Sequence, residues 1–135
     1  MIATAFCESA ALETVAGIHA AEDEYRMALI APDQLRSYGA STTNYAELGD
    51  DEAKGEGYES GGVRISGRKA QSGPSGYVHT FDPVTIGPNA TIQAAGALVY
   101  NATKGGRACS VHKFAQVRGV RGGDLVISPK TATKR

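Results

Sequence analysis

The run TIQAAGALVY at residues 91–100 is the most apolar stretch of the chain, and it decides the predicted fold. Small and apolar side chains occupy both alternating sets of positions, which is typical of a central β-strand covered on both faces. A glycine-rich turn follows at residues 101–106. The segment 107–114 then predicts the return strand of a β-hairpin.

Shorter strand-like runs surround this hairpin. The turns between them are too brief for crossover helices, which argues for antiparallel pairing. These runs lie at residues 25–31, 62–67, 77–81 and 124–127, with a turn at 72–76 and a glycine cluster at 119–123 before the last run. We therefore predict a mainly β fold class: an antiparallel β-sandwich or barrel-like domain with one N-terminal α-helix.

The chain of 135 residues is expected to form one domain. A helix is predicted over residues 6–18, with Thr4 as its cap. Its apolar stripe consists of Ala11, Leu12, Val15 and Ile18. The β-rich domain covers residues 1–128 and includes an acidic surface loop at 32–59. A basic C-terminal tail at 129–135 should be mobile unless a partner holds it.

Charge is divided along the chain, although the total is balanced at 14 acidic and 14 basic residues. Residues 1–59 contain twelve acidic and three basic residues, whereas residues 60–135 contain two acidic and eleven basic ones, so the halves carry formal charges of −9 and +9. Such halves can attract each other within one molecule or between copies. Contacts between copies would be directional.

The predicted contact surfaces are the N-terminal segment, the acidic loop at 46–59 and the basic C-terminal region. The loop lacks the alternating oxygen ligands of a calcium-binding loop. The basic region lacks interleaved aromatic residues and a recognition helix, so we favour a protein partner over nucleic acid. The candidate contact residues are Asp50, Asp51, Glu52, Glu56, Arg118, Arg121, Lys130, Lys134 and Arg135.

No pattern in the sequence indicates catalysis or metal binding. His19, His79 and His112 lack the spacing of zinc ligands. Ser110 and His112 share a strand face, but no acidic partner is evident beside them in the sequence. We therefore expect no enzymatic activity, no cofactor and no metal ion.

The two cysteines, Cys7 and Cys109, are expected to remain reduced thiols. Residues 1–5 carry no basic side chain and do not resemble a secretion signal, which indicates a reducing cytosolic compartment during synthesis. No stretch approaches the roughly 18 apolar residues that a membrane span needs, so no membrane partner is expected.

Several short motifs follow one another in a fixed order. They are the N-terminal helix, YRMAL at 25–29, GEGYESGGV at 55–63, ATIQAAGALVYN at 90–101 and KGGRA at 104–108. The series resembles a family of small virion proteins of tailed bacteriophages, over roughly residues 6–128. The resemblance implies a structural component of the particle, with no catalytic residues to carry over.

The role that best fits this resemblance is a capsid decoration (cement) protein. Such a protein binds the outside of the shell formed by the major capsid protein and stabilises it. The resemblance also implies a homo-oligomer, with a trimer favoured, that is made in the host cytoplasm and located on the virion. Two alternatives stay open: a tail, neck or fibre-base component, and a host-surface or carbohydrate-binding module. The absence of tryptophan argues against the carbohydrate-binding alternative.

Overall fold

Within the described residues, the chain folds into two antiparallel sheets and one short α-helix. The computed structural model describes residues 2–20, 22–66, 69–73, 76–127 and 132–134. In chain order the elements are β1 (Ala5–Phe6), α1 (Glu8–Val15), β2 (Tyr25–Ile30), β3 (Val63–Arg64), β4 (Lys69–Gly73), β5 (Gly76–Thr80), β6 (Val84–Asn101), β7 (Arg107–Ile127) and β8 (Ala132–Lys134). The prediction of a mainly-β antiparallel domain with one N-terminal helix is confirmed.

The hairpin of β6 and β7 is the longest feature of the fold. β6 has 18 residues and β7 has 21. Their pairing begins at the turn, where Asn101 lies opposite Arg107, and continues to the far end, where Val84 lies opposite Ile127. The strand predicted at 91–100 is therefore confirmed, and it extends further toward the N-terminus than the sequence indicates.

The sequence divides β7 into two predicted strands, 107–114 and 124–127, and this division is wrong. The glycines between them lie within one continuous strand. Gly122 has a φ of +65° and occupies the register shift that separates Arg121 from Gly123. An extra residue bulges out of the ladder there, and glycine adopts the required left-handed backbone without strain. The strand therefore continues where the sequence suggests a turn.

The five-stranded sheet has the order β1-β7-β6-β2-β3, and both faces of its central part are buried. Met27 of β2 and Val99 of β6 belong to a core cluster on one face, which we call face A. Ile30 of β2 and Leu98 of β6 belong to a second cluster on the opposite face, which we call face B. All four side chains are fully buried. The prediction of a central strand covered on both sides is confirmed for residues 96–100, whereas Thr91 and Gln93 are exposed.

This sheet is open, with β1 and β3 at its edges. The smaller sheet has the order β4-β5-β8 and lies beside β1. The described side chains that cover the faces of the larger sheet come from α1 and from loops, such as Ala10 on face B and Tyr58 on face A. The finer prediction of a sandwich or barrel is not confirmed.

The helix is shorter than the predicted range of 6–18. At its start, Phe6 pairs with Ser110 in β1, so the first predicted turn belongs to the sheet. At its end, Gly17 has a φ of +75°, a left-handed conformation that closes helices. No helix in the described residues has the length and apolar character needed to cross a membrane.

Two details of the predicted helix packing are wrong. Leu12 is 75% exposed, and the helix instead buries Ala10, which is 1% exposed. Thr4 does not cap the helix, because its Oγ1 accepts a hydrogen bond from the backbone N–H of Lys113 at 2.9 Å. That bond attaches the N-terminal segment to β7.

The loop predicted at residues 32–59 is more than a surface excursion. It contains two 3-10 helices, Tyr45–Glu47 and Gly49–Asp51. Tyr38 and Leu48 are buried on face B, whereas Ala53 and Tyr58 are buried on face A. The loop therefore covers parts of both faces of the sheet, although its composition is polar and acidic.

The C-terminal tail predicted to be mobile at 129–135 forms a strand over part of its length. The backbone of β8 pairs with β5, with Lys134 opposite Tyr77 and Ala132 opposite His79. The edge of β5 thus supplies backbone hydrogen-bond partners within the same chain.

Gly62→Ala should destabilise the protein more than Gly105→Ala does. Both glycines have a positive φ, +86° and +72°, so each substitution should cost about 1 kcal/mol of left-handed strain. A Cβ at Gly62 would also lie 1.9 Å from the carbonyl oxygen of Met27, whereas a Cβ at Gly105 would meet nothing within 4 Å. We expect overpacking to add about 2 kcal/mol at Gly62. Urea denaturation of both variants measures the difference, and equal losses would contradict the close approach to Met27.

Candidate functional site

An open groove lies between the 32–59 loop region and the far half of the hairpin. One wall consists of residues 31–33, 50 and 52–54. The other consists of residues 91–93 of β6 and 119–121 of β7. The volume of the groove is about 820 Å³. We call it the charged groove.

Charges of both signs line the charged groove. Exposed Asp33, Asp50 and Lys54 lie on the loop wall, and exposed Arg121 lies on the hairpin wall. The carbonyl of Glu56 accepts a hydrogen bond from the backbone N–H of Thr91 at 2.9 Å, which holds the loop against β6. Such a surface suits a partner that also presents both signs of charge.

Three of the predicted contact residues, Asp50, Glu52 and Arg121, line the charged groove. Exposed Glu56 and Arg118 follow and precede its walls in the sequence. The structure thus brings together part of the acidic loop and part of the basic region, which the sequence treats as separate surfaces. Of the remaining basic candidates, Lys130 and Arg135 lie outside the described residues, and only the backbone of Lys134 is described.

Asp51 is not a surface contact residue, because its carboxylate is used inside the molecule. It is 6% exposed. Its oxygens accept hydrogen bonds from the hydroxyl of Tyr38 at 2.6 Å and from the backbone N–H groups of Leu35 and Arg36 at 2.8 and 3.0 Å. Burial acts to raise the pKa of Asp51, but these hydrogen bonds outweigh it and lower the pKa. The predicted contact role of Asp51 is therefore wrong.

Glu52 contributes to the lining of the charged groove but is only 6% exposed, so its predicted role as an exposed contact charge is wrong. Its carboxylate accepts hydrogen bonds from Tyr45 at 2.5 Å, Tyr58 at 2.6 Å and the backbone N–H of Gly61 at 2.9 Å. The hydroxyl of Tyr58 in turn accepts the backbone N–H of Leu29 at 2.9 Å. Glu52 therefore fastens the loop to strand β2.

The tyrosine partners of these carboxylates were missed by the sequence reasoning. Burial, followed by the hydrogen bond to Glu52, raises the pKa of Tyr45 and Tyr58 above the ordinary range. Both phenols therefore stay protonated and keep donating. The available signal was the presence of three tyrosines, Tyr38, Tyr45 and Tyr58, within an acidic loop, since a buried tyrosine hydroxyl usually finds a hydrogen-bond partner.

The acidic and basic halves of the chain meet within one molecule. Glu13 forms an ion pair with Arg107 at 2.8 Å, and Asp23 forms one with Lys104 at 2.8 Å. Hydrogen bonds from Asn101 and Lys104 lower the pKa of Asp23. These contacts attach the region around α1 to the closed end of the hairpin.

Ser110 and His112 form the pair that their shared strand face predicts. Ser110 Oγ lies 2.9 Å from His112 Nε2. Ser110 is fully buried and His112 is 4% exposed. The ring of Phe81 packs edge-on against the imidazole, with the two ring centroids 5.2 Å apart. A substrate could reach this pair only if the core opened.

A second arrangement, which sequence spacing does not reveal, surrounds His19. Its Nε2 lies 2.8 Å from Glu13 Oε1, and its Nδ1 lies 4.0 Å from Cys109 Sγ. Asn101 Nδ2 lies 3.0 Å from the same Nδ1, which favours the tautomer with the proton on Nε2. The His19 side chain and Cys109 are both fully buried, so the imidazole and the thiol are not accessible from the surface. The Glu13 side chain is 13% exposed and lines a small open pocket together with Lys104 and Arg107.

The two cysteines are reduced in the structure and belong to different core clusters. Cys7 lies with face B, whereas Cys109 lies with face A. Burial raises the pKa of the Cys7 thiol above the ordinary range, which keeps it protonated. Within the part of the chain that is described, no three His, Cys, Asp or Glu residues are grouped to hold a metal ion.

Comparisons of the chain with protein-family models, with curated proteins and with solved structures give no match.

Asp51→Asn should reduce stability at neutral pH by about 1–3 kcal/mol, because an amide would place a donor among the donors that now face the carboxylate. Asp50→Asn is the matched control, since Asp50 is exposed, and it should change stability by less than about 0.5 kcal/mol. Urea denaturation at pH 7 measures both. Equal losses would contradict the buried role of Asp51.

The same pair of variants tests the pH dependence. The pKa of Asp51 is lowered by folding, so its stabilisation is present above the unfolded-state pKa of about 3.9 and is lost as the pH falls through the folded-state value. The stability gap between the wild type and Asp51→Asn should therefore narrow below about pH 4. A gap that stays constant down to acid unfolding would show that the Asp51 charge does not contribute.

Proposed function

We propose that this chain is a structural protein of a tailed-bacteriophage virion, and that it decorates the outside of the capsid shell. Its partners would be the major capsid protein and other copies of itself, and it would stabilise the assembled shell. The order of its sequence motifs, which resembles small virion proteins of tailed phages, supports this role.

The placement of reactive and charged side chains supports the proposal best. Ser110 and His19, the centres of the two arrangements that could resemble catalytic groups, lie in the core. Asp50 and Arg121, in contrast, are exposed on the walls of the charged groove. A protein that acts by contact with other proteins needs exposed charge and needs no accessible nucleophile.

Attachment to a shell would depend on many weak contacts. Exposed ion pairs contribute only about 0–1 kcal/mol each. Copies that are held at repeated, symmetric positions can engage several such contacts together, so the avidity exceeds the affinity of any single contact. Salt screens exposed charges over about 10 Å at 0.1 M. Binding through the charged groove is therefore expected to weaken as salt is added.

Charge reversal tests this expectation on assembled particles. Asp50→Lys and Arg121→Glu should each lower the number of copies bound per particle. Glu22→Lys and Arg64→Glu are the matched controls, because they reverse exposed charges that do not line the groove. The copies are counted against the major capsid protein at about 0.05 M and about 1 M salt.

The wild type should be abundant on the shell at low salt and depleted at high salt. An occupancy that is independent of salt and of the two groove variants would show that these charges do not hold the protein. A position at the tail, in few copies, would contradict the decoration role and assign the chain to the tail, neck or fibre base.

A further inference from the structure

The outer edge of β7 is exposed over much of its length. β7 pairs with β1 only at Ser110 and Val111. Beyond these, residues 118–121 pair with β6 on one side, and among the described residues no strand pairs with residues 114–121 on the other. Residues 115–119 are all exposed. An edge of this kind presents backbone N–H and C=O groups that can pair with another extended chain.

A large bulge interrupts this edge. Arg118 lies opposite Ala94 and Lys113 lies opposite Gly96, so the four residues 114–117 of β7 oppose the single residue 95 of β6. The extra residues displace the strand locally and redirect their side chains. Within the bulge, Phe114 packs against the face A cluster.

An apolar groove lies beside the bulge. Its volume is about 320 Å³, and its apolar lining includes Ile2, Pro32, Ala95, Phe114 and Val117. Val117 is 53% exposed at its rim. Leu35, which follows the lining residue Gln34, is 93% exposed. Exposed apolar side chains gathered around a groove are typical of an interaction site.

The charges on the β7 side of this groove have one sign. Lys113, Arg118 and Arg121 are exposed along β7, and residues 108–123 contain no acidic side chain. Two copies paired edge to edge about residue 117 would place Lys113 opposite Arg121, and like charges directly opposite each other are destabilising. The edge therefore discriminates against a second copy of itself. The same cations are complementary to a strand that carries carboxylates.

We propose that the exposed edge of β7 binds an extended, acidic segment of a partner protein by strand addition. The segment places an apolar side chain in the groove beside Phe114 and Val117, and its carboxylates lie against Lys113 and Arg118. Backbone hydrogen bonds supply affinity, and the groove and the cations supply specificity. This inference rests on the proposed function, since it gives the chemistry of the surface that a capsid shell would present.

Synthetic peptides test the proposal on the isolated full-length protein. One labelled peptide, about six residues long, alternates Glu and Val, and a second alternates Lys and Val. Fluorescence anisotropy measures the binding of each. The acidic peptide should bind at least about tenfold more tightly, which corresponds to about 1.4 kcal/mol.

Backbone N-methylation of the acidic peptide separates strand addition from simple charge attraction. Methylation of alternate residues along one edge removes the hydrogen-bond donors that face β7 and should weaken binding at least tenfold, whereas methylation along the opposite edge should have little effect. Equal binding of both methylated peptides would overturn the proposal, because charge attraction alone would then explain the affinity.

Variants of the protein identify the surface. Lys113→Gln with Arg118→Gln should weaken the acidic peptide at least tenfold, and Val117→Asp should do the same by adding a negative charge at the groove. Arg64→Glu is the control outside the groove, and circular dichroism checks that each variant folds. Unchanged binding in both groove variants would overturn the proposal. Self-association of the wild type that is lost in the Lys113/Arg118 variant would also overturn it, because the occupant would then be a second copy.

Failure of this inference and failure of the proposed function give different results. If the peptides do not bind but particle occupancy still falls with salt, the strand-addition site is wrong and the decoration role stands. If the acidic peptide binds as expected but the protein is absent from particles, the site stands and the virion role is wrong.

Discussion

The pairing of β6 with β7 is the constraint on which the other parts of the structure depend. β2 joins the sheet along β6, from Tyr25 opposite Asn101 to Ile30 opposite Gly96. β1 joins it along β7. The far half of the hairpin then extends beyond β2 and supplies a wall of the charged groove. A change of register in this one ladder would therefore move both cores and the groove together, because a shift by one residue exchanges the two faces of a strand.

Two adjacent carboxylates turn an acidic segment into an ordered part of this framework. Asp51 accepts hydrogen bonds from Tyr38 and two backbone N–H groups, and Glu52 accepts them from Tyr45, Tyr58 and a backbone N–H group. Burial of a charge is costly unless hydrogen bonds satisfy it. Here each carboxylate has three donors, so the loop remains fixed without a large apolar content. The loop wall of the charged groove depends on these bonds.

The parts of the fold that the sequence predicts well are those where burial decides the residue type. The second half of the run at 91–100 is apolar on both alternating sets, and the structure buries residues 96–100 on both faces of the sheet. The prediction that a turn divides β7 is wrong because glycine is common both in turns and in β-bulges. Only the pairing with β6 shows that Gly122 lies in a bulge. The predicted exposure of Asp51 and Glu52 is wrong because carboxylates usually lie at the surface. Here both are buried, and hydrogen bonds from tyrosine side chains stabilise them. The exposed edge at 114–117 follows from strand order and register, neither of which is visible in a single sequence.

The ion pair between Glu13 and Arg107 joins positions 94 residues apart, and the one between Asp23 and Lys104 joins positions 81 apart. These two contacts cannot form during synthesis until residues 104 and 107 have been added, and each requires the closure of a long loop. The first quarter of the polypeptide leaves the ribosome well before β7 exists to receive it. Residues 1–24 carry five acidic and no basic side chains. Like charges repel one another within this segment, and the pairing of Asp23 with Lys104 and of Glu13 with Arg107 in the folded structure offsets that repulsion.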